Sequence, residues 1–120
     1  MGVSMESVMR LKSLLSDAGQ SQGSRLTIFA VINLGIIESL FNGSLSATDA
    51  VIMLFNADNC LYVRKQLKSK IADKIMSHGV QLPDLFEILP LEESQRQFLH
   101  ELGVMRSLCF QLIDENRLAA

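Results

Sequence analysis

The chain has 120 residues, 48% of them hydrophobic and 20% charged, with a formal net charge of −2. That length suits one domain able to bury about two-thirds of its unfolded surface without a metal or disulfide, and the composition excludes a disordered chain. A charge this close to zero argues neither for nor against nucleic acid.

Residues 4–18 are predicted as an amphipathic helix, with Met5, Val8, Leu11 and Leu15 along one face and Gly19 placed to end it. Residues 20–24 (QSQGS) are polar and read as a flexible linker, so 1–24 is an N-terminal helix plus linker. Residues 26–41 (LTIFAVINLGIIESLF) are apolar almost all round. Such a helix belongs inside a bundle or a membrane. Sixteen residues fall short of the roughly 20 that a bilayer needs, so this is the expected buried central helix. Asn42-Gly43 tolerates positive φ and ends it. Ser46 then suits an N-cap with Asp49 three residues on, opening a helix over 47–55 that buries Ala47, Ala50, Val51, Leu54 and Phe55.

Residues 56–59 read as a turn. The spacing of Cys60, Val63, Leu67, Ile71 and Ile75 then predicts a helix over 60–78, ended by Gly79. Its opposite face carries Arg64, Lys65, Lys68, Lys70 and Lys74. Residues 80–89 read as a connection with one short helical turn, Pro83 at its first position and Asp84 and Glu87 in its first turn. Pro90, Glu92 and Glu93 open the last helix, 91–116. Its stripe is Phe98, Leu102, Met105, Cys109 and Leu112, widened by Leu99, Leu108 and Ile113. The expected fold is therefore all-α: a single-domain bundle of about five helices around the buried central helix (26–41) and the long C-terminal helix (91–116).

Chemistry is sparse. His100-Glu101 opens an HExxH pattern that no second histidine completes, and His78 reads as a residue favoured by the dipole at a helix end. No nucleophile elbow, phosphate loop or dinucleotide turn is present, so no enzyme, cofactor or metal is expected. Cys60 and Cys109 lie far apart in apolar helices and read as free thiols in a reducing compartment. The first twelve residues have no apolar leader core, so the expected location is cytoplasmic, with no membrane partner.

Two surface features remain. Asp84, Glu87, Glu92 and Glu93 interleave with Phe86 and other apolar residues between two prolines, a rigid acidic loop suited to binding a protein. The basic residues Arg64, Lys65, Lys68, Lys70 and Lys74 are the alternative, a nucleic-acid-binding face on a helix-turn-helix-like pair.

The run Leu34-Gly35-Ile36-Ile37-Glu38, then Gly43-Ser44-Leu45-Ser46, Asp49-Ala50 and Leu54-Phe55-Asn56, resembles a family of small uncharacterised bacterial all-helical proteins. The stretch from His78 to Leu85 fits the segment that follows in them, and the likeness covers roughly residues 28–90. Proteins of this kind sometimes serve as immunity partners of secreted toxins. The resemblance thus implies a non-catalytic cytosolic immunity protein that neutralises a cognate toxin domain, a nuclease among the candidates. A nucleic-acid-binding regulator is the alternative, and a homo-oligomeric structural or adaptor protein the second. A homodimer through the first or last helix is compatible with each.

Overall fold

Small polar side chains decide where four of the helices begin. Ser21, Ser46, Asn56 and Ser69 each accept a hydrogen bond from the backbone N–H three residues on, at 3.0–3.2 Å. Each satisfies one of the donors that a helix start leaves unpaired. The computed structural model describes residues 7–17 and 21–117, and among these every regular element is helical. The order is α1 (Leu11–Asp17), α2 (Gln22–Phe41), α3 (Ala47–Met53), α4 (Ala57–Tyr62) running into a π-helical turn (Val63–Leu67), α5 (Lys70–Ile88) and α6 (Leu91–Glu115). The all-α single-domain bundle expected from the sequence is what the chain forms, with one helix more than the five counted there.

The elements depart from expectation at five places. Of the expected linker, Gln22, Gly23 and Ser24 are the first turn of α2, capped by Ser21. The predicted first helix starts late: Val8, Met9 and Arg10 are not helical and α1 begins at Leu11, with Leu11 and Leu15 buried and Val8 half-buried; Met5, Ala18 and Gly19 lie outside the described residues. Residues 56–59 are not simply a turn, because Asn56 caps α4 and Ala57 begins it.

The predicted helix 60–78 is two elements. It breaks at Lys68, which adopts a left-handed backbone (φ 49°), and Ser69 caps a new helix behind it. That helix, α5, continues through Gly79 and Pro83 to Ile88, so Gly79 does not end it and residues 80–89 are not a connection. Gly79 is small for a packing reason: a Cβ there would lie 2.4 Å from the Phe55 ring. Pro83 brings no N–H to the ladder and leaves the Gly79 carbonyl without its usual donor.

The core forms where α6 lies along both α5 and α2, with α3 against α5 and α1 against α2 and α4. Leu102, Met105, Cys109 and Leu112 supply its α6 side, and Phe29, Ile37, Leu40, Leu54, Phe55, Ile75 and Leu82 fill the space opposite. Leu99, counted in the α6 stripe, faces out. The central helix is buried on one side only. Leu26, Phe29, Ala30, Asn33, Ile36, Ile37 and Leu40 point inward, while Val31 (56% exposed), Gly35 and Glu38 line a water-facing strip. At 20 residues, α2 is long and apolar enough to cross a bilayer, so its length no longer argues against one; seven of its residues are buried against the rest of the chain. Asn42 caps its C-terminus and Gly43 takes the expected positive φ (79°).

Candidate functional site: an acidic corner and a basic cleft

The acidic segment 84–93 is not a loop. Asp84, Phe86 and Glu87 lie in the last turns of α5, Leu89 and Pro90 make the corner, and Glu92 and Glu93 stand in the first turn of α6. This corrects the electrostatics expected from the sequence. Glu92 and Glu93 do sit where a helix dipole favours anions, but Asp84 and Glu87 sit near a helix C-terminus, where it disfavours them. Helix stability therefore explains two of the four acids and not the other two.

All four acids are exposed, and so are three of the apolar residues among them, Phe86 at 42%, Ile88 at 78% and Leu91 at 69%, while Leu85 and Leu89 are half-buried. Phe86 is not loose. Its ring meets Phe98 of α6 at 5.1 Å between centroids, tilted by 59°, a geometry that favours aromatic pairs. Beside it an open groove of about 480 Å³ runs between Leu40, Leu45, Ala47, Pro83 and Phe86. The corner thus offers a fixed ring, two protruding aliphatic side chains and an adjoining groove within an acidic rim.

The basic residues do not form one helical face. Arg64 and Lys65 lie in the π-helical turn, Lys68 at the break, and Lys70 and Lys74 on α5. All five are exposed. Arg64 borders a smaller cleft with Cys60, Asp73 and Met76, whereas Lys65 borders a different one with Arg10, Lys12 and Arg25. The helix-turn-helix-like pair expected around them is absent, because α3 leads into a six-residue α4 and then the π-helical turn.

The larger cleft, about 610 Å³, was missed in the sequence because its cations come from three separate stretches of chain. Its walls are pinned by side-chain amides. Asn59, buried on α4, accepts from the Leu11 N–H at 3.0 Å and donates to the carbonyls of Met9 (2.8 Å) and Leu54 (2.9 Å). Gln22 of α2 donates to the Gln66 carbonyl at 3.1 Å and to that of Leu67. One amide ties the start of α1 to α4 and the other ties α2 to the end of the π-helical turn.

His78 caps nothing, being well inside α5. Its Nδ1 lies 2.6 Å from the Glu101 carboxylate of α6, whose other oxygen accepts from Gln97 at 3.1 Å. His100 is exposed, and the described residues hold no group of three metal-ligating side chains. Both cysteines are free. Burial raises the Cys60 thiol pKa above its ordinary 9.0, Arg64 lowers it and Asp73 raises it further; burial alone pushes Cys109 up to about 12. Neither thiol is thereby primed as a nucleophile. No protein-family model, curated protein or solved structure matches the chain.

Proposed function

We propose that the chain is a non-catalytic protein-binding protein, and that the α5–α6 corner is its docking edge. The observation that supports this is the combination at residues 84–93: exposed Phe86, Ile88 and Leu91 within four carboxylates, two of them at a helix end that disfavours them. Apolar anchors supply affinity and the surrounding charge steers approach. The complementary partner is a basic surface with an apolar pocket. The most concrete partner of that kind is a toxin domain evolved to hold phosphates, a nuclease in particular, whose site the acidic rim would occupy. The chain is then a cytosolic immunity protein, as the resemblance over 28–90 implies.

The test takes the protein that co-purifies with the chain, or the product of the adjacent gene, and measures the complex directly. A one-to-one complex is expected whose association slows as salt rises. Reversing Glu87, Glu92 and Glu93 to lysine should slow association at low salt by about tenfold or more, with dissociation changed little. Phe86→Ala and Ile88→Ala should act instead on dissociation. Association that ignores all three reversals at low salt removes the corner from the interface.

A further inference from the structure

We propose that the cleft between α1, α2 and α4 is a binding site for a phosphorylated small molecule with a flat apolar part, a mononucleotide in its chemical class. It is distinct from the acidic corner and does not depend on that reading. The cleft's volume of about 610 Å³ falls within the range of small-molecule pockets, about 300–1,000 Å³. Four cations border it: Arg10 just ahead of α1, Lys12 on α1, Arg25 on α2 and Lys65 in the π-helical turn. Among its described lining residues Asp58 is the one carboxylate.

The chain as a whole carries −2, so this concentration of positive charge is a product of folding and not of composition. A concave site in which four cations outnumber one carboxylate draws an anion in. The remaining wall includes Tyr62, half-buried, whose ring offers an apolar face to a base. Asp58 adds an acceptor for an exocyclic amine or a ribose hydroxyl.

The site is also held in shape before any ligand arrives. Asn59 and Gln22 fix three of its walls to one another. The adjoining turn is π-helical and closes on a left-handed lysine, and irregular backbone of this sort gathers at binding sites. A polynucleotide track fits less well, because Lys68, Lys70 and Lys74 lie outside the lining.

The experiment is titration calorimetry, with thermal shift alongside, on the full chain with AMP, GMP and ADP. Inorganic phosphate, adenosine and a short single-stranded RNA serve as comparisons. At least one nucleotide should bind and raise the melting temperature, more strongly than phosphate or adenosine does. Lys12→Gln and Lys65→Gln, both at exposed positions, should each weaken it roughly tenfold, since charge-assisted bonds to phosphate are among the stronger polar contacts. Arg10→Gln is a third, independent variant, and Lys74→Gln should change nothing. Absence of binding by all three nucleotides at about 1 mM, a Kd weaker than such sites show, overturns the proposal. So does adenosine binding as well as AMP, phosphate binding as well as any nucleotide, or RNA binding far more tightly than all of them.

Discussion

The two sides of this molecule are held together by different forces. Where α2, α5 and α6 meet, the buried side chains are almost all apolar, and tight packing decides the details, as at Gly79 against Phe55. On the side built from α1, α4 and the π-helical turn, the helices have seven, six and five residues. Helices that short are weakly stable alone, and none buries more than two apolar side chains fully, Leu11 and Leu15 in α1 and Val63 and Leu67 in the turn. Amide side chains supplement them: Asn59 ties the start of α1 and the end of α3 to α4, Gln22 ties α2 to the π-helical turn, and Asn56 caps α4. A polar staple fixes geometry without filling space, and the large cleft opens on that side.

Substitutions can break or sharpen this contrast. Asn59→Ala should have the largest effect. It strips partners from the Leu11 N–H and from the Met9 and Leu54 carbonyls, and orphaned buried groups cost about 1–3 kcal/mol each. A loss of about 3 kcal/mol or more in urea unfolding is expected, with amide exchange in α1 accelerating first. A small, uniform loss would mean that apolar packing holds that side too.

Gly79→Ala comes next. Its methyl would overlap the Phe55 ring at 2.4 Å, and overpacking costs about 1–3 kcal/mol. Phe55→Leu should recover part of that cost when combined with it, although each change destabilises alone. Strict additivity of the pair would show that the two residues do not press on each other.

The third effect is confined to alkaline solution. Below about pH 9 the Cys109 thiol is protonated in folded and unfolded chains alike. Above it the unfolded chain loses the proton, while the folded one keeps it until about 12, so stability falls as pH climbs through that window. Cys109→Ala should flatten the decline between pH 9 and 11, and in the parent chain a thiol reagent at pH 8 should leave Cys109 unmodified until unfolding. The smallest effect is a gain. Lys68→Gly releases a left-handed backbone that a side chain adopts at a cost, and should add about 0.5–1 kcal/mol.

The sequence made the apolar side easier to read than the stapled one. The long stripe of α6 and the greasy run of α2 follow from periodicity, and Ser46 and Asn42-Gly43 behaved as their chemistry suggests. Gly79 and Pro83 misled because both are ordinary stop signals, and only the approach of Phe55 reveals why a glycine belongs mid-helix. The break at Lys68 was visible in part, since Ser69 followed by Asp73 is a helix start hidden inside a continuous stripe. The acidic residues were found, Glu92 and Glu93 at the helix end where they lie, Asp84 and Glu87 at the wrong one. The basic cleft could not be found, because Arg10, Arg25 and Lys65 share no local pattern and meet only through tertiary structure.

The half-covered α2 also has a consequence for how the chain is born. Its most extensive neighbour is α6, which begins at Leu91, fifty residues after α2 ends at Phe41. At a ribosomal pace of about 5–20 residues per second, that segment waits roughly 3–10 s for its cover. During that interval the nascent chain displays a run as oily as a membrane anchor, the kind of stretch that chaperones and targeting factors recognise.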